Sequence, residues 1–218
     1  MEGIIKRAEE FLHHKFNDSS YFREHPGEKA YRLEHSIRVA NIGAAIARQE
    51  GMDTEAMAIA CLLHDVSYCR GITAVEDWKE HGREAARIAR PFLESLHLPE
   101  HTAEQIMYGI AAHVDGKTDF AGEPTAFTET VCDADNIDRY DVYRLFENLS
   151  NNGFMEMTLD EKEKYVVQLS DKLSCYRDEE LATETATLMW REKINFQLTF
   201  FEHMERQLKD SRSYCLPE

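Results

Sequence analysis

Apolar residues recur along this chain with a helical period almost from end to end. Over residues 1–16, Ile4, Ile5, Ala8, Phe11, Leu12 and Phe16 fall at steps of three and four, which predicts an amphipathic helix. A polar stretch containing Pro26 follows. Residues 28–49 resume the pattern through Leu33, Ile37, Ala40, Ala44 and Ala47, and their alanines allow close approach of a neighbour. Gly51-Met52 is the stop signal, and Asp53 or Thr54 can cap the next helix. That helix carries Met57, Ala60, Cys61 and His64 on one face and ends at His64-Asp65. Residues 66–75 have no period and read as a loop. Over 76–95, Ala85, Ile88, Ala89, Phe92 and Leu93 share a side, with Pro91 expected to kink the helix. Ile106, Ile110 and His113 align over 100–113, and a loop over 114–124 leads to a helix over 128–149 whose inward residues are Ala134, Ile137, Tyr140 and Leu145. Asn151-Asn152-Gly153 is the clearest break, and Thr158 with Glu161 has the spacing of a capping box. Two more helices are expected, carrying Val166, Leu169 and Leu173, then Leu181, Leu188, Ile194, Leu198, Phe201, Met204 and Leu208. No strand pattern or repeat interrupts this. The expected fold is all-α, with one domain over residues 1–150 and a C-terminal helical extension over 151–218 packed on it.

Composition narrows the picture. With 218 residues, 43% hydrophobic and 30% charged, the chain suits one soluble domain or a domain with an appendage. No N-terminal stretch reads as a signal peptide, and no apolar run approaches the roughly 20 residues that span a bilayer. A cytoplasmic protein without membrane contact is the expectation. Cys61, Cys69, Cys132, Cys175 and Cys215 are scattered and odd in number, which fits neither a disulfide framework nor a thiolate zinc site. Each is expected to be a small buried or half-buried hydrophobe. A formal charge of −16 argues against binding nucleic acid backbone, yet leaves room for a local cationic pocket holding a small phosphate.

The candidate chemistry begins at His64-Asp65. A lone histidine on an apolar helix face is ordinarily a hydrogen-bonded core residue. A buried aspartate beside it changes that, because buried charges are normally paired or bound to metal. Histidines and acids at the ends or starts of expected helices give the series His35, His64, Asp65, His81, His113 and Asp135. Imidazole and carboxylate suit divalent Mn, Fe, Ni, Co, Mg or Zn better than thiophilic ions. Four such ligands fill one site, and six suffice for two ions if one carboxylate bridges. Asp133 competes with Asp135 for the ligand role, since two residues on a helix point about 200° apart; Asp138 can support a histidine from behind. Arg38, one turn from His35, and Lys117 are candidates to hold phosphate. Arg83 and Arg139 read as surface charges, and His13, His14 and His25 as surface histidines.

The segments Leu-Glu-His35-Ser-Ile-Arg38-Val, Leu-Leu-His64-Asp65 and Asp133-Ala-Asp135-Asn-Ile-Asp together resemble the HD-domain superfamily of metal-dependent phosphohydrolases, over roughly residues 28–145. The resemblance implies a helical bundle with a metal at its centre, held by His35, His64, Asp65 and Asp135. His81-Gly82 and Ala112-His113 look like the two extra histidines of subfamilies that carry a second metal or hold a substrate phosphate. Other branches place an acidic residue shortly after the His-Asp pair for acid-base work. Here Val66-Ser67-Tyr68-Cys69 holds no carboxylate, which argues against deoxynucleoside monophosphatase and guanosine-tetraphosphate hydrolase activity. The Gly-Tyr-Pro signature of the cyclic-di-guanylate branch is also absent. The expected function is hydrolysis of a nucleotide or other small phosphoester, with one or two divalent ions. Asp65, His81 and His113 would act in catalysis, and Arg38 and Lys117 on the substrate. Two rivals share the ligand order: an HD-type di-iron oxygenase and a non-catalytic metal-binding sensor module. The stripe from Leu181 to Leu208 is expected to pack on the domain or on a second subunit of a homodimer.

Overall fold

Helix signals in the sequence translate into ten α-helices and no strand in the computed structural model, which describes residues 3–214. Cys215 lies outside the described residues. The chain divides into two compact units, Met1–Asp138 and Arg139–Glu218.

The first unit is built around its most apolar segment. Helix α4 (Thr54–Leu63) is buried at every position from Ala56 to Leu63 rather than on one face, as a helix surrounded by others must be. Asp53 caps it, accepting a hydrogen bond from Ala56 N at 3.0 Å. Around it lie α1 (Gly3–Asp18), α3 (Pro26–Glu50) and α6 (Glu100–Ala112); α5 (Val75–Ser95) packs on α6. A short helix α2 (Ser20–Glu24), capped by Ser19, occupies part of the polar stretch where no element was expected. The unit closes with α7 (Ala126–Arg139).

Helix α3 corrects the expected stripe. Its buried residues are His35, Ser36, Val39, Ala40, Gly43, Ile46 and Ala47, whereas Ile37 is 38% exposed and Leu33 and Ala44 are half-buried. The packing face mixes polar, small and apolar residues: Ala40 and Ala47 of the expected stripe lie on it, but Ile37 does not. Close approach explains the glycine: a Cβ on Gly43 would stand 2.5 Å from Cys61 Sγ of α4. At its end, Gly51 adopts φ 70° and stops the helix as expected.

Two other expectations change. The region 66–75 opens with a 3₁₀ turn, Val66–Arg70. The single helix expected over 128–149 is two helices, α7 and α8 (Val142–Asn151), because the Asp141 carboxylate accepts a hydrogen bond from Val142 N at 2.7 Å and starts a new helix. Helix α5, by contrast, runs through Pro91. That residue and Arg87 one turn before it are exposed, so the carbonyl without a partner faces water.

In the second unit, α9 (Leu159–Tyr176) begins with the expected capping box at Thr158 and Glu161, and packs on α10 (Glu184–Asp210). The buried side of α10 is Ala186, Thr187, Trp190, Ile194, Gln197, Phe201 and Leu208. Of the expected stripe, Ile194, Phe201 and Leu208 are buried and Leu198 and Met204 half-buried, whereas Leu188 is 59% exposed and Leu181 precedes the helix; Trp190 completes the face. Its indole donates to the Tyr176 carbonyl at 2.7 Å, and its ring meets Tyr140 edge-on at 4.8 Å. Cys61 is buried, Cys69 and Cys132 are half-buried, and Cys175 is exposed, contrary to expectation; all four are free thiols. No described helix is long and apolar enough to cross a membrane.

Candidate metal centre

Six side chains meet in the first unit, and helix ends deliver three of them, His64, Asp65 and His113. His64 and His113 are the C-terminal caps of α4 and α6, His81 lies in α5, His35 in α3 and Asp135 in α7. All six, Asp65 included, are at most 3% exposed.

Every imidazole is oriented from behind. His64 Nδ1 bonds the Cys61 carbonyl at 2.7 Å, His113 Nδ1 the Ile110 carbonyl at 2.8 Å, and His81 Nδ1 the Trp78 carbonyl. A carbonyl only accepts, so Nδ1 carries the hydrogen and a neutral ring presents a bare Nε2 lone pair inward. The partners at His64 and His113 are last-turn carbonyls that a helix end leaves open. His35 differs. Its Nδ1 meets Asp138 Oδ2 at 2.7 Å, and Asp138 is gripped in turn by Arg38 (Nε to Oδ1 2.6 Å, Nη2 to Oδ2 3.2 Å).

The inward atoms form two groups joined by one carboxylate. Asp65 Oδ2 lies 3.6 Å from both His35 Nε2 and His64 Nε2, and Asp135 Oδ1 lies 3.2 and 3.8 Å from the same nitrogens. Asp65 Oδ1 faces the other way, 3.2 Å from His81 Nε2 and 3.7 Å from His113 Nε2. Ligands about 2.1 Å from a tetrahedral ion sit roughly 3.4 Å apart. The arrangement passes a chemical test as well as a metric one. His64 Nε2 is fully buried without a hydrogen-bond partner among the described residues. His81 Nε2 and His113 Nε2 stand 3.1 Å apart with their lone pairs converging on Asp65 Oδ1. Both features suit a cation between them.

Electrostatics follow the geometry. Burial works against a charged His35, but hydrogen bonds to Asp135 and Asp138 outweigh it and hold its pKa up to about 9. Burial dominates at His64 and pushes it down to about 4, leaving a neutral ring. For Asp65, burial opposes the carboxylate, yet His64, His113, His81 and Arg32 together hold it well below the usual carboxylate range.

His35, His64, Asp65, His81, His113 and Asp135 are thus brought together. Asp133, two residues from Asp135, is buried but takes no place in the cluster. Arg38 does not point at it either: its guanidinium is spent on Asp138 behind His35. Lys117 is exposed on its loop, and its backbone carbonyl accepts from Arg83 Nη1 at 3.0 Å. Arg83 itself, expected on the surface, is only 11% exposed and also bonds Asp115, Glu80 and the Lys79 carbonyl, pinning residues 115–117 to α5. Sequence reasoning missed Arg32. Its Nη1 reaches Asp65 Oδ2 at 2.9 Å while its Cζ stands over the Tyr68 ring, 3.3 Å from the centroid. The available signal was its position one turn before His35, on the same helical side.

A family model described as the HD domain matches residues 32–142 of the chain, about half its length. The chain belongs to the HD-domain family. The histidines and aspartates of the HD-like motifs found in the sequence, His35, His64, Asp65 and Asp135, are among those that meet here. Among solved structures, a predicted HD superfamily hydrolase from an uncultured Thermotogales bacterium superposes with a TM-score of 0.63 at 18% identity, covering 93% of this chain and 91% of that one. At that identity the likeness establishes the fold. No curated protein matches the chain in sequence at a significant level. HD domains bind divalent metals, and the His/Asp clusters of this chain are able to hold metal.

Proposed function

We propose that this HD domain hydrolyses a nucleotide or another small phosphoester, using divalent ions held by the six converged residues. One observation carries the reading: the two oxygens of Asp65 face two separate groups of nitrogen and oxygen ligands. His35, His64, Asp65 and Asp135 would hold one ion, and Asp65, His81 and His113 a second. A divalent ion so placed polarises a phosphoryl oxygen and acidifies water. The chain's own contribution is orientation. Each imidazole is locked through Nδ1, which fixes where Nε2 can point and fits the support that metal ligands need. Were Nε2 of each ring to ligate an ion, none of these four histidines would keep a spare N–H to protonate a leaving group.

Purified protein loaded in turn with Mn, Co, Ni, Mg and Fe, and offered a panel of nucleotides and small phosphoesters, tests the reading. Phosphate release is expected with the wild type, falling by at least about two orders of magnitude in Asp65→Ala while the helical circular dichroism persists. Release by Asp65→Ala at the wild-type rate would overturn it. The same paired ligand set favours a second reading, a di-iron oxygenase. Iron retained after anaerobic purification, oxygen consumption and no phosphate release across the panel would select that one.

A further inference from the structure

Arg32 and Tyr68 form a unit that the ligand scheme leaves unexplained. Arg32 sits in α3 one turn before His35, with its side chain 20% exposed. Its Nη1 bonds Asp65 Oδ2, the oxygen that faces His35 and His64. Its Nε is buried without a hydrogen-bond partner among the described residues. Tyr68, itself buried, lies in the 3₁₀ turn directly after the His-Asp pair, and the guanidinium carbon stands over its ring, 3.3 Å from the centroid. Tyr31 adds a second aromatic neighbour at 5.5 Å.

Three facts make this a ligand-directed arrangement. A guanidinium offers five N–H donors in a flat fork that matches two oxygens of a phosphate or carboxylate, and one hydrogen bond to Asp65 leaves most of that fork unused. A buried donor without an acceptor is costly, so an oxyanion beside Asp65 would relieve it. Finally, the chain carries a net charge of −16, so an anionic substrate needs a cation at the centre. The two sequence candidates do not supply it, since Arg38 is bound to Asp138 and Lys117 is exposed on its loop.

We propose that Arg32, held over the Tyr68 ring, is the oxyanion clamp of this centre, binding a phosphate oxygen of the substrate beside Asp65. Resting on the phosphohydrolase reading, the proposal also gives a use to the turn that lacks an acid. Where a carboxylate would oppose an incoming anion, Val66–Arg70 supplies an aromatic platform for a cation. Tyr68 is then a positioning residue, acting through Arg32.

The test uses the full chain loaded with Mn, and inorganic phosphate as the probe in calorimetry. Metal binding is measured separately for each variant. Arg32→Gln is expected to weaken phosphate binding at least about tenfold, the loss of one or two charge-assisted hydrogen bonds, with Mn binding changed less than about threefold. Tyr68→Phe keeps the platform and should bind phosphate like the wild type; Tyr68→Leu should fall between. If Arg32→Gln does not fold, Arg32→Lys, which keeps charge but not the fork, is expected to show a smaller loss in the same direction. Wild-type phosphate affinity in the folded Arg32 variant overturns the clamp. So does parallel loss of metal and phosphate, which would make Arg32 a mere support for Asp65. The absence of phosphate binding in the wild type overturns it too. Arg32-dependent phosphate binding without hydrolysis of any substrate would sustain the clamp and defeat the phosphohydrolase reading. Hydrolysis insensitive to Arg32→Gln would do the reverse.

Discussion

The two halves of the ligand cluster are built differently, although they share Asp65. On one side, His35 is backed by the Asp138 carboxylate, which Arg38 holds in place, and Asp135 adds a second charged ligand. On the other, His81 and His113 are backed by backbone carbonyls alone, and Asp65 is their one carboxylate. A carboxylate behind a histidine raises its basicity and fixes its tautomer more firmly than a neutral carbonyl does. An ion in the first half would accordingly be held more tightly than one in the second.

Asp65→Ala strikes both halves and carries the largest expected effect: the loss of turnover described above, accompanied by loss of both ions. His81→Ala and His113→Ala should each empty only the second half. Metal analysis after Mn loading is expected to fall from two ions per chain to one, with hydrolysis lost. Asp138→Asn leaves every ligand in place and removes only the support behind His35. It should weaken the tighter ion by about 10–100-fold and leave the weaker one unchanged, measured by competition with a chelator of known affinity. An equal effect on both ions would erase the distinction between the halves.

Gly82→Ala probes the second half through packing. A Cβ there would stand 2.8 Å from the Ala111 carbonyl and 3.1 Å from His113 Nδ1, where α5 and α6 approach closely. The expected cost is about 1–3 kcal/mol of stability in denaturant titration, with the weaker ion loosened and the tighter one retained. Smallest of all, Thr158→Ala removes the cap of α9 in the other unit. It should cost about 1 kcal/mol and leave metal binding untouched.

Much of this centre was legible in the sequence, because the ligand residues carry chemistry that few other positions can explain. His64-Asp65 ending a buried helix announced a cation, and the capping box at Thr158 and Glu161 and the stop at Gly51 marked helix limits through local backbone chemistry. What escaped depends on neighbours distant in sequence. The buried side of α3 holds His35, Ser36 and Gly43, which no hydrophobic pattern selects, while Ile37 is left exposed. Arg38 looked like a phosphate binder until the structure placed Asp138, a hundred positions away, against it. Arg32 looked like an ordinary helix charge until Tyr68 came beneath it. Asp141 restarted a helix through one side-chain hydrogen bond that periodicity does not register.

Counting ions per chain decides whether Asp65 joins two sites. After Mn loading and removal of free metal, elemental analysis should find two ions in the wild type, one in the His81→Ala/His113→Ala double variant and none retained in Asp65→Ala. A double variant that still binds two, or an Asp65→Ala protein that keeps its metal, would contradict the bridged centre.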